Sequence, residues 1–78
     1  MSEHYRVSPI ETIKFIVQVV KDYPPTVAFH IGSAIKYIAR APHKGSYEAD
    51  LYKAEDFLHH ARTGKWLHEE EQNDEESV

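Results

Sequence analysis

Seventy-eight residues with a formal net charge of −4 and no cysteine allow one small domain and exclude disulfides and thiolate metal sites. A folded unit near 60 residues buries only about 60 % of the surface its unfolded chain exposes, so this chain is expected to draw stability from a partner subunit, as a homo-oligomer. The longest apolar run, FIVQVV, is too short to span a bilayer, and MSEHYRVSP lacks the apolar centre of a signal peptide; a cytosolic compartment is expected.

In chain order, Ser8-Pro9-Ile10-Glu11 reads as a helix start: a capping serine, a proline at the first helical position and a glutamate three residues on. Ile10, Ile13, Ile16, Val17 and Val20 then recur on one face. Pro24 and Pro25 end that helix near Asp22. Thr26 is positioned to cap a second helix that runs to about Ala41, where Pro42 stops it, with Val27, Ile31, Ala34, Ile35 and Ile38 as the expected buried stripe. After the turn APHKGS a third helix opens near Ser46, with Tyr47, Leu51, Ala54, Leu58 and Ala61 sharing a face, and Gly64 marks its end. No alternating strand pattern and no internal repeat is present, so the expected fold is all-α: three short helices in a small bundle over residues 1–66. Residues 67–78 carry six of the 13 acids within EEEQNDEESV and are expected to be a disordered acidic tail, a solubiliser or a strap over a basic face.

Two helices also carry apolar residues outside those stripes. Phe15 and Val19 lie roughly 200–240° around the first helix from Ile13, and Phe29 lies opposite Ile31 on the second. A bundle of this size cannot cover every side of each helix. Phe15, Val19 and Phe29 are therefore expected at an oligomer interface, where Ala28, Gly32 and Ala39 leave room for another helix.

The candidate site lies in the 25 residues from Tyr23 to Tyr47, which contain no Asp or Glu. Lys36, Arg40 and Lys44 fall there at steps of four. Without the last ten residues the chain has nine bases against seven acids, a balance of +2. Like charges at i, i+4 repel by a few tenths of a kcal/mol, which the helix C-terminus can offset by about 0.3–1 kcal/mol. Local physics therefore leaves their purpose open. Asp50, at the border of the third helix's buried face, needs a partner, and Lys36 or Arg40 is the natural one. With Lys53 one turn away, Lys36, Arg40, Lys44 and Lys53 form an expected cation cluster ordered by one acid, suited to a phosphate. Tyr5, Phe29 and Tyr37 offer aromatic surface for a base, and His4 and Arg6 reach the same place if the N-terminal arm folds back. There is no phosphate-cradling P-loop and no metal-binding histidine spacing. A balance of +2 and the lack of a recognisable helix-turn-helix make nucleic acid a poor partner.

These residues also carry a resemblance. His4-Tyr5, PIETI at Pro9–Ile13, GSAIKYIARA at Gly32–Ala41, Lys44 and DLYKAEDFL at Asp50–Leu58 resemble a family of small bacteriophage proteins described as a domain of unknown function or as nucleotide kinase-like. The likeness spans roughly His4 to Arg62. It implies the host bacterial cytoplasm, and a domain shared with a longer phage nucleotide kinase that lacks a P-loop. Carried over by motif, the implied site is His4, Tyr5, Gly32, Lys36, Tyr37, Arg40, Lys44, Asp50 and Lys53; at Ser33, also a candidate contact, the family favours asparagine. The expected function is to hold a phosphorylated nucleotide, either for phosphoryl transfer by positioning and charge stabilisation or to sequester a host nucleotide. The alternative is a host-takeover module that docks a bacterial protein through Phe15, Val19 and Phe29. Neither a resident cofactor nor a metal is expected.

Overall fold

The structure is a computed structural model that describes residues 9–43, 45 and 47–76. Among these the chain forms four α-helices and no strand: α1 (Pro9–Val20), α2 (Pro25–Arg40), α3 (Tyr47–Thr63) and α4 (Leu67–Glu76), with a 3₁₀ turn at Ala41–His43. None is long and apolar enough to cross a membrane.

The helix boundaries follow from prolines and a glycine. Pro25 occupies the first position of α2, where its missing N–H costs nothing, and the Pro24 carbonyl accepts from the N–H groups of Val27 and Ala28, both at 2.9 Å. Thr26, expected to cap this helix, instead lies inside it. Gly64 donates its N–H to the His60 carbonyl at 2.8 Å and then turns with φ of 82°, a left-handed conformation that strains any residue with a Cβ.

The three main helices lie side by side. α2 is central: it touches α1 on one flank and α3 on the other, and among the described residues α1 and α3 do not meet. The Cα envelope measures 52 × 32 × 10 Å. Since one helix with its side chains is about 10–12 Å across, this is a single layer of helices.

The expected buried stripes are corrected accordingly. In a single layer the close contacts fall on small residues that let backbones approach: Ala34, Ala41 and Ala54 are the buried apolar residues, joined by Gly32, Ser33 and Asp50. No large side chain among the described residues is fully buried. On α1 the inner stripe is Thr12, Ile16, Val19 and Val20, all half-buried. It meets α2 at Gly32, where a Cβ would sit 2.9 Å from Ile16 Cγ2. Ile10, Ile13 and Val17, expected inside, are exposed. Val19, expected at an oligomer interface, belongs to the inner stripe. On α2, Val27, Ile31 and Ile35 are half-buried and Ile38 is exposed; on α3, Tyr47, Leu51 and Leu58 are exposed.

The expected disordered tail is corrected too, because residues 67–76 form α4. Its start coincides with the expected boundary after residue 66, and α3 supplies the contacts that hold it. The Asp56 carboxylate accepts from the N–H groups of Leu67 at 2.7 Å and His68 at 3.3 Å, and its other oxygen lies 2.6 Å from His68 Nδ1. That is an N-cap delivered from another helix, placing a negative charge at the positive end of the α4 dipole. His59 pairs with Glu70, and the Tyr52 hydroxyl donates to Glu71 at 2.7 Å. An acidic run that composition assigns to solvent is thus tethered at three points.

The Tyr52 bond gives this tether a spectroscopic signature. Donation to the Glu71 carboxylate pushes the Tyr52 phenol up to about 12, with desolvation adding to the effect. A folded-state value raised above the ordinary one of about 10 makes a contribution that is complete below pH 10 and is lost as pH rises through 12. In a tyrosinate absorbance titration, one of the five tyrosines should ionise last, and Glu71→Ala should return it to the main group. Unchanged titration in Glu71→Ala would remove this contact.

Candidate functional site

The charged centre sits where α2 and α3 run together, one turn before α2 ends. Arg40 forks onto Asp50: Nε lies 3.2 Å from one carboxylate oxygen and the second guanidinium nitrogen 3.3 Å from the other. Asp50 is only 4 % exposed, whereas the Arg40 side chain is 42 % exposed. The hydrogen bond to Asp50 raises the Arg40 pKa above its ordinary value; desolvation opposes this and the carboxylate's charge adds to it. The buried acid therefore fixes a permanent cation with its outer side in water.

Two further cations gather around the same ring. Lys36 Nζ lies 4.9 Å, Arg40 Cζ 4.9 Å and Lys53 Nζ 5.5 Å from the Tyr37 centroid. Placing a cation against an aromatic ring gains about 0.5–1 kcal/mol at exposed sites. Tyr37 is itself stacked on Phe57, with centroids 5.8 Å apart and planes 19° from parallel. Its ring is thus a fixed post around which the positive groups stand. Lys36 and Lys53 are exposed, and no ion pair to a carboxylate is formed by either among the described residues.

The structure therefore brings together Lys36, Tyr37, Arg40, Asp50 and Lys53. Ser33 is buried in α2 one helical turn before Lys36 and Tyr37. Phe29 is 69 % exposed on the same α2 face as Lys36 and Arg40 by helical phase, and its ring meets Phe57 edge-on at 6.2 Å. His4, Tyr5 and Lys44 lie outside the described residues. Phe15, on α1, is 59 % exposed and apart from this cluster.

An aromatic column beside the site went unread in the sequence. His30 of α2 and His60 of α3 stack with centroids 4.3 Å apart and planes within 3°, and Trp66 packs on His60 at 4.3 Å and on Phe57 at 5.3 Å. Phe57 links this column to Tyr37. The available signal was the spacing Asp50, Ala54, Phe57, Ala61, which is the true inner face of α3; taking the bulkier Leu51 and Leu58 as the inner face rotated the helix by about 60°. Among the described residues, no group of three or more His, Asp or Glu side chains is arranged to hold a metal ion.

A family model described as a protein of unknown function, DUF3310, matches residues 1–59. The chain belongs to that family. No curated protein and no solved structure matches it. The DUF3310 segment contains the whole cation cluster and Phe57. His60, Trp66 and α4 lie beyond it, so the acid-tethered helix is an addition to the matched unit.

Proposed function

We propose that this DUF3310 protein binds a phosphorylated nucleotide on the α2–α3 cation face. The observation that carries the reading is the convergence of three positive groups on Tyr37, of which only Arg40 is engaged by a carboxylate. Lys36 and Lys53 are the mobile phosphate contacts, point charges on flexible stems. Arg40, held by Asp50, presents its outward nitrogens as the fixed donor. Phe29 offers an exposed ring for the base. The motifs that resemble bacteriophage nucleotide kinase-like proteins run through these same positions, which supports a nucleotide over other anions.

Binding to the folded state alone raises the melting midpoint by mass action. At least one member of a panel of mono-, di-, tri- and cyclic nucleotides should therefore shift it. Lys36→Ala combined with Lys53→Ala should weaken the responding ligand by about tenfold or more, since hydrogen bonds to charged groups contribute about 1.5–3 kcal/mol each. The midpoint without ligand should stay within about 2 °C, because both side chains are exposed. No shift across the panel would overturn nucleotide binding. Incubating the protein with ATP, Mg²⁺ and nucleoside monophosphates separates a kinase from a binder that sequesters its ligand.

The second reading, a module that docks a bacterial protein, is favoured by the exposure of Phe15 and Phe29. It requires an unmoved midpoint across the nucleotide panel and capture that is lost on Phe15→Asp or Phe29→Asp.

A further inference from the structure

A groove of about 530 Å³ runs along the α2–α3 seam, open to solvent and lined by Tyr23, Val27, Ile31, Leu58, Ala61 and Leu67. Helical phase carries this apolar strip further along both helices. Ile38 follows Ile31 by seven residues and Leu51 precedes Leu58 by seven, each offset by about 20°. Ile38 is 49 % exposed, Leu51 40 % and Leu58 43 %. The strip lies across the layer from the cation cluster, since Ile31 stands about 180° around α2 from Arg40 and Leu58 about 140° around α3 from Lys53.

Domains bury apolar faces between at least two layers, and this chain supplies one. The strip is also the periodic apolar pattern that would make a core in a two-layer protein: Val27, Ile31 and Ile38 on α2, with Leu51 and Leu58 on α3. A second layer is therefore required, and the charges along the strip indicate its identity. Glu55 and Arg62, both exposed and both bordering the groove, are seven residues apart on α3 with Leu58 and His59 between them. Twofold pairing demands a self-complementary surface. An axis lying between two layers at the level of Leu58 stacks α3 antiparallel on the α3 of another copy. Glu55 of each copy then meets Arg62 of the other, while Leu58, Val27 and Ile31 fill the centre.

We infer that this DUF3310 protein is a face-to-face dimer built on the α2–α3 apolar strip, with the Glu55–Arg62 pair setting its register. The partner is a second copy of the same chain, and both cation faces remain outward. This surface is distinct from Phe15, Val19 and Phe29, and it stands whether or not the cation face binds a nucleotide.

Sedimentation equilibrium of the full chain tests it. The mass should be a multiple of the 9.1 kDa protomer, twice it at the lowest assembling concentration. Glu55→Arg and Arg62→Glu, each alone, should raise the dissociation constant about tenfold by setting like charges opposite one another. Combining them should restore it, because the reversed pair is again complementary. Leu58→Asp should give monomer. These positions are exposed in the protomer, and helicity by circular dichroism identifies any variant that fails to fold; the charge-reversal pair carries the test if Leu58→Asp does not fold. A monomeric parent overturns the inference. So does an assembly that is indifferent to every one of these substitutions, or a double reversal weaker than both singles.

Discussion

Arg40→Ala is expected to lower the melting midpoint by roughly 5–10 °C, although the arginine itself is far from buried. The loss falls on its partner. Asp50 is 4 % exposed, and Arg40 satisfies both of its carboxylate oxygens. Truncating the arginine leaves an ion desolvated by folding with nothing to offset that cost, one of the few mechanisms by which a single substitution has a large effect. In a chain of this size each kcal/mol moves the midpoint by about 4–8 °C. The decisive comparison is Arg40→Ala with Asp50→Ala in one molecule. Removing both partners takes the buried charge away, so the double variant should be more stable than Arg40→Ala alone. A double variant that loses the sum of the two single losses would show that the pair does not act as a unit. The contrast with Lys36 and Lys53 is useful: those cations should be separable from folding, whereas Arg40 serves both the fold and the proposed anion site.

The second large effect is expected where no charge is involved. Ala34 is 1 % exposed and Ala54 3 % exposed, on helices that touch along their length. Their methyl groups set how near the α2 and α3 backbones come. Ala34→Leu inserts three carbon atoms into that contact. Overpacking of this kind costs about 1–3 kcal/mol and occasionally more, and a domain of this class holds only about 0.05–0.15 kcal/mol per residue in total. The urea midpoint should fall steeply, with helical circular dichroism already reduced in water. Gln18→Leu, on the exposed side of α1, provides the control and should leave both unchanged. A wild-type midpoint in Ala34→Leu would mean that the α2–α3 contact is looser than the structure has it.

The punctuation of the chain was legible before its packing was. Pro9, Pro24, Pro25, Pro42 and Gly64 act through their own backbones, so they mark the ends of α1, α2 and α3 wherever those helices go. The inner faces were not legible in the same way. Large aliphatic residues were weighted as core, while the helices meet along Gly32, Ala34, Ala41 and Ala54, whose contribution is closeness and not area. Asp50 was the better guide: a carboxylate at the edge of an apolar face required a cation, and that requirement predicted its approach to Arg40. For α4 the reason is distance along the chain. Asp56, His59 and Tyr52 hold Leu67, Glu70 and Glu71 from 11 to 19 residues upstream, and composition read locally sees only a run of acids. The stacked His30 and His60 are separated by a whole helix and a turn, with nothing in either neighbourhood to pair them.

The side-by-side order of the helices has a mechanical consequence. Each helix leans only on the one before and the one after it, so the chain is coupled in series and its outermost members have a single neighbour. α1 can peel from α2, or α4 from α3, and leave the remaining seam closed, which makes local opening graded from the ends inward instead of all at once. Contacts between consecutive elements also keep loop closures short, the condition under which small helical chains fold fastest. The α2–α3 pair, which carries the cation cluster on one side and the apolar strip on the other, is the part that would open last.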